Sequence, residues 1–381
     1  MLVGIHARPG AVPFLQLFIL ALVLLGGACA PAAQSPTQMP SVTPTGAETA
    51  STSPSHTETP ASQTYSGGLI SDMPPTPSTL PDETPTATAA PAPTPTQTTA
   101  PTVVITPNPE AEFISQEGLW QALRGFSGKT NQQREAYIAQ ELFPNSGLTN
   151  ITKQPVTYNG PWGKEYGNWD DLSNLLALRS GSRPDKQGKR IIVGGHFDKA
   201  TYPGRSRTPG ISDGILDNAS GVAAVAKIAQ YLKDPLNDIQ FIAFASEEPQ
   251  PFFNGSRAYF DNLPDKENVL VYINLDVLGR GNLALVENSV DPELAEIAFQ
   301  VARDEKLPLV WRPASHQTNS DQLIAQANGL KVLAITSDEF EWYDIHVPED
   351  NLSAVDPDVF HRQYRLAARI IIAIDRHFAQ R

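Results

Sequence analysis

The chain has 381 residues, more than one ordinary domain requires, and about half of its 34 prolines crowd into residues 30–110. A net charge of -13 argues against nucleic acid or anionic membrane as a partner and supplies carboxylates in quantity. A single cysteine, Cys29, excludes an internal disulfide and any cysteine-based zinc site.

Residues 1–29 have the layout of an export signal: Arg8, a short apolar run over residues 14–25 (FLQLFILALVLL), then small residues ending at Cys29. The stretch LLGGAC resembles the bacterial lipobox, in which the cysteine is lipidated and becomes the new N-terminus. Gly26 stands where that pattern prefers a larger aliphatic residue. Two outcomes are open: a cell-surface protein whose membrane contact is a lipid on Cys29, or cleavage nearby and secretion. Residues 30–111 read as a disordered Pro/Thr/Ser-rich linker, since alternating Pro and Thr favour extended chain and bury no core. No apolar run further along approaches the ~18–20 residues that span a bilayer.

The globular part is expected over residues 112–381. Ser115–Phe126 and Asn131–Leu142 have helical apolar spacing. Asn174–Arg179 and Ile191–Gly195 read as strands, and a turn-rich loop follows at Thr201–Gly214. Helices are expected at Gly221–Leu232, Asp291–Asp304, Asp321–Ala327 and Asp356–Phe378. The runs IQFIAFA (Ile239–Ala245) and VLVYINL (Val269–Leu275) are continuously apolar, as parallel strands buried on both faces should be. Lys331–Thr336 is a further strand. The alternation implies an α/β fold, a three-layer sandwich with a mostly parallel central sheet flanked by helices.

Chemistry-bearing residues gather where these strands end. IIVGGHFD places His196 and Asp198 two residues apart at the carboxyl end of a strand, so both project to one face. Open α/β sheets bind ligands at that edge. GILDNASG puts Asp217 just before a helix, SEEP puts Glu247 and Glu248 after IQFIAFA, NLDVLG ends a strand at Asp276, and YDIHVPEDN carries His346. Each has a plain alternative: Asp217 as an N-cap, the glutamates as solvated charge, Asp276 as a turn residue, His346 as a surface histidine. All four plain readings together are much less probable than any one. Adjacent Glu247 and Glu248 after an apolar strand are unfavourable without a cation or a chemical task. His361 and His377 fall on the closing helix and read as structural, and His316 lies in a polar loop that lines a cleft. Two histidines with three or four carboxylates exceed one tetrahedral zinc and suit two metals sharing a bridge.

Taken together, these motifs resemble metallopeptidase family twenty-eight, the di-zinc exopeptidases that include aminopeptidases and glutamate carboxypeptidase. The resemblance runs from about Ser115 to the C-terminus and rests on five motifs in the family's order: His196–Asp198, Asp217–Gly221, Glu247–Glu248 followed by Gly255-Ser256, Asp276, and Ile345–Asn351. It implies two Zn2+ per chain. Asp217 would bridge them, Glu248 and His346 would complete one site, and His196 and Asp276 the other. Asp198 would orient His196 from behind, and Glu247 would be the catalytic acid/base acting on a water held between the metals. It also implies a cis Asp217–Asn218 peptide. The chain departs from the pattern at Leu216, at the longer loop PQPFFN, at Ser320-Asp321-Gln322, and at Ile345, which stands where many members have an oxyanion-donating tyrosine. Trp342 or Tyr343 is a substitute within reach in sequence, and Phe252 and Phe253 are pocket candidates. The activity implied is an aminopeptidase acting on peptides; the signal-like N-terminus adds export, and a monomer is expected. Alternatives are a carboxypeptidase or glutaminyl cyclase on the same fold, the cyclase using one zinc, and a non-catalytic surface binding module.

Overall fold

Apolar residues at every position of a strand can be buried only if both faces of the sheet are covered. Three such runs form the middle of an eight-stranded sheet: β3 (Arg190–His196), β4 (Asp238–Phe244) and β5 (Val269–Leu275). In this computed structural model the described residues are 113–183, 185, 188–202 and 210–381. The export signal with Cys29, the linker, both expected boundaries before residue 112, and part of the turn-rich loop therefore lie outside the described residues.

The remaining strands are β1 (Thr152–Pro155), β2 (Ser173–Arg179), β6 (Leu283–Val290), β7 (Leu309–Arg312) and β8 (Val332–Ser337), in the spatial order β1-β2-β4-β3-β5-β8-β6-β7. The central strands β4, β3, β5 and β8 run parallel to one another, as does β7 with β6. The pairs β1–β2, β2–β4 and β6–β8 are antiparallel, so the sheet is mixed around a parallel centre. Reading of the sequence missed β1, β6 and β7. Two of these have only four residues, and the exposed TKQP of β1 carries no apolar alternation.

Helices cover both faces. They are α1 (Gln116–Arg124), α2 (Asn131–Tyr137, continued by a wider turn over Ile138–Leu142), α3 (Ser220–Tyr231), α4 (Asn254–Phe260), α5 (Pro292–Glu305), α6 (Gln322–Ala327) and α7 (Pro357–Ala379). Their starts are written locally. Thr130 and Gln133 form a reciprocal capping box on α2, and Asp356 caps α7 ahead of Pro357 at its first turn. Alternate strand residues feed two cores. Ile191, Val193, Phe241, Val271 and Ile273 pack with α1, α3, α5 and α7. Ile192, Ile242, Phe244 and Tyr272 pack with α4 and α6. That is the expected three-layer sandwich. Among the described residues, no helix is long and apolar enough to cross a membrane.

One feature of strand order locates the site. From β3 the chain passes to β4 on one side, then back across to β5 on the other. The connections diverge at the carboxyl end of β3 and leave a crevice there, which is where open α/β sheets hold ligands.

Candidate metal centre

Three strand ends, one loop and one turn deliver side chains into this crevice. His196 closes β3, Glu247 and Glu248 follow β4, Asp276 follows β5, and His346 lies in the loop after β8. Asp217 arrives from the turn before α3. That turn is stitched to the end of β5: the Asn218 side-chain amide donates to the Leu275 carbonyl at 2.9 Å and its oxygen accepts from Gly221 N at 2.9 Å. A Cβ on Gly221 would run into that same Leu275 carbonyl and the Asn218 side chain, which explains the glycine in DNASG. The Asp217–Asn218 peptide is cis.

The six side chains converge. Asp217 Oδ1 lies 3.1 Å from His196 Nε2, and its Oδ2 lies 3.0 Å from His346 Nε2. His346 Nε2 is also 2.9 Å from Glu248 Oε2, and His196 Nε2 is 3.4 Å from Asp276 Oδ1. Three overlapping groups result: His196–Asp217–Asp276, His196–Glu247–Glu248 and Asp217–Glu248–His346, each with ligand atoms within 4.8 Å of one another. All are buried except Asp276, whose side chain is 18 % exposed.

These contacts fit cations better than hydrogen bonds alone. Each Nε2 carries at most one proton yet faces two carboxylates. Glu248 Oε1 and Asp276 Oδ1 are buried without a hydrogen-bond partner, an arrangement that costs free energy unless something else binds them. Around a four-coordinate zinc with bonds of roughly 2.0–2.1 Å, ligand atoms sit about 3.3 Å apart, close to the spacings seen here. The donor set of imidazole and carboxylate also suits zinc.

Electrostatics says the same. Burial pushes Glu247 well above the carboxylate range, with Glu248, Asp321 and Asp276 adding to the rise and His196 opposing it. Burial raises Glu248 to about 7 against the pull of His346, and raises Asp321 to about 7. For His346, burial favours the neutral ring, but Glu248 and Asp217 overcome it and lift the pKa to about 10. His196 is likewise raised well above its ordinary value, burial being outweighed by Glu247 and Asp276 among others. Asp217 is held below its usual range because its imidazole hydrogen bonds outweigh burial. The side chains thus favour bound protons where cations would bind, and metal and protons compete for one set of atoms.

Asp198 sits differently from its expected role. Its Oδ1 is 3.7 Å from His196 Nδ1, longer than a hydrogen bond. Its two oxygens accept instead from Glu247 N at 2.9 Å, Glu248 N at 3.2 Å and Trp169 Nε1 at 2.8 Å. It therefore fixes the Glu-Glu turn more directly than the imidazole.

Several residues here were not singled out by motif. Asp350, raised by burial to about 8, accepts from Leu216 N at 2.6 Å and Asp217 N at 3.2 Å. Its place in the stretch after His346 was the available signal. Tyr202 donates toward Glu248 Oε2 at 3.4 Å, and its ring lies 4.2 Å from that of His346. Nothing local in sequence marks it. Trp342 packs on both rings, whereas Tyr343 is 59 % exposed and Ile345 is core. Phe252 meets Trp162 beside Tyr202, but Phe253 turns to the core of the opposite face. His316 meets Trp342 edge to face, with ring centroids 5.4 Å apart. His361 and His377 stay on α7, contacting Ile114 and Glu293.

The sequence model of Peptidase family M28 matches residues 174–371, just over half of the chain and every residue of this cluster. The chain belongs to peptidase family M28. Solved structures share the M28 chain's fold. A leucine aminopeptidase precursor from Bacteroides thetaiotaomicron is 17% identical, with 69% of this chain and 98% of that one covered at a TM-score of 0.56. The glutaminyl cyclase of Porphyromonas gingivalis is 17% identical, with 68% and 99% covered, again at 0.56. The match to BSAP, a zinc aminopeptidase from Bacillus subtilis, spans about half of that protein's length (49%) at 21% identity and a TM-score of 0.45.

Proposed function

We propose that this M28 chain is an exported di-zinc aminopeptidase that removes N-terminal residues from peptides. The observation carrying the reading is Asp217, whose two oxygens each face a different imidazole, as a bridging carboxylate's must. His196 and Asp276 would hold one zinc, Glu248 and His346 the other, with Asp217 shared. Bound zinc supplies Lewis acidity, polarising the scissile carbonyl and acidifying water.

The protein's own groups do the rest. Glu247 takes a proton from the attacking water and returns it to the departing amine, so that peptide and water become carboxylate and amine. Burial raises Glu247 well above the ordinary carboxylate range, and a carboxylate so raised is suited to both accepting and giving a proton near neutrality. Asp198 holds the Glu247 and Glu248 amides and so aims both carboxylates. Tyr202 offers a hydroxyl beside Glu248, in place of the tyrosine absent at Ile345, and can donate to the oxyanion. A free, neutral substrate α-amine can serve as a further ligand to such a centre, which favours an N-terminal substrate end.

A panel of aminoacyl-anilides, run with metal analysis, tests this. Expected are about two zinc ions per chain, matching the dinuclear arrangement, and hydrolysis that stops when the substrate amine is acetylated. Tyr202→Phe should then lower kcat by roughly 10-fold or more. Release of ammonia from N-terminal glutamine without anilide hydrolysis would favour the cyclase reading. Absence of metal and of turnover would leave a binding module.

A further inference from the structure

Helix α2 lies outside the segment that matches the family, yet it inserts a charged side chain beneath the centre. Arg134 is fully buried, with 0 % exposure. Its guanidinium donates to the Phe197 carbonyl at 2.9 Å, to the Gly214 carbonyl at 3.0 Å, and to the Asp213 carbonyl. Phe197 sits between His196 and Asp198. Asp213 and Gly214 lead into the turn that presents Asp217. One planar fork therefore ties the strand end bearing one imidazole to the turn bearing the shared carboxylate. A lysine's single point charge cannot match that geometry.

Helix α2 and the turn that precedes it add further ties at the same two places. The Asn131 side chain accepts from Lys199 N at 3.0 Å and donates to Lys199 O at 3.2 Å. Ser127 Oγ and Gly128 N both donate to the Asp213 carboxylate at 2.8 Å. Burying a guanidinium is costly, and an apolar side chain would fill the space without that cost. Burial lowers Arg134 to about 10, against the raising influence of Asp213, Asp350, Asp198 and Asp217, so it stays charged at neutral pH.

Building on the di-zinc reading, we infer that Arg134, seconded by Asn131, is a positioning residue for the metal centre. It fixes the backbone beside His196 and before Asp217, and so sets the position of the shared carboxylate relative to that imidazole. The N-terminal helices thereby become part of the working enzyme.

The test is zinc affinity of the purified full chain by chelator competition, with kcat and KM measured alongside. Arg134→Met should keep its circular dichroism and bind zinc about 10–100-fold more weakly, with kcat falling more than KM changes. Arg134→Lys should recover part of the affinity, and Asn131→Ala should lose a few-fold. A folded Arg134→Met that binds zinc within about twofold of wild type overturns the inference and leaves the di-zinc reading intact. If Arg134→Met does not fold, Asn131→Ala and Arg134→Lys decide by the same criterion. Wild-type protein that binds no zinc overturns both.

Discussion

Strand β3 carries charge at both ends, and the two ends differ in kind. At its start, Arg190 meets Asp265 through two parallel hydrogen bonds of 2.7 Å, one cation to one carboxylate. At its finish, His196 lies among Asp198, Asp217, Glu247 and Asp276, with carboxylate oxygens left unpartnered. A balanced pair holds the fold. A surplus of acceptors around too few donors marks a place where protons or metal ions are bound. The two ends differ in burial, with Asp265 37% exposed against 1% for His196, and also in stoichiometry.

The comparison is sharpened most by removing the reactive group while leaving the ligands. Glu247→Gln should cost roughly 10²–10⁴ in kcat with zinc content unchanged, as read by anilide hydrolysis and metal analysis. Full activity in that variant would contradict the acid/base assignment.

The next effect is on stability and depends on pH. In metal-free protein, Glu247, Glu248, Asp321 and Asp350 all have raised pKa values, the last three at about 7, 7 and 8, and His346 is lifted to about 10. The folded chain therefore binds more protons than the unfolded one from the ordinary carboxylate range up to about pH 10, where His346 titrates. Stability from these groups is full in acid and is lost as pH rises through the folded values. Asp217 has the opposite sign, but its contribution is lost only in stronger acid. Chelator-treated protein should show a Tm that falls between about pH 5 and pH 9, and added zinc should flatten or reverse the slope by replacing the protons. A Tm flat across that range without metal would break the contrast between the two ends of β3.

The smallest effect belongs to the balanced end. Arg190→Met should cost about 1 kcal/mol, because the Asp265 partner is 37% exposed and screened by solvent. That corresponds to a Tm lower by roughly 2–4 °C, with zinc affinity and turnover as in wild type. A large loss of zinc binding here would mean that strand position, and not the acceptor surplus, governs the centre.

Much of this was written locally. Continuous apolar runs dictated that β4 and β5 be buried on both faces, and Thr130 and Asp356 fixed where α2 and α7 begin. His196, Glu247, Glu248 and Asp276 were legible because each falls at the end of a strand, where the chain leaves the sheet at one edge, and His346 because it lies in the loop that follows another strand. Other features depended on neighbours far away in sequence. That Asp198 grips the Glu247 and Glu248 amides, that Tyr202 and not Tyr343 reaches Glu248, and that Arg134 underlies the turn before Asp217 are all results of packing. The antiparallel flanks of the sheet were likewise invisible, since the short edge strands β1 and β7 carry too few residues to show a period.

The sequence by itself determined which side chains stand at each strand end, because strand periodicity and apolar runs are properties of neighbouring residues. Only the tertiary structure decided which of them touch, because strand order and the reach of a long side chain such as Arg134 depend on how distant segments pack.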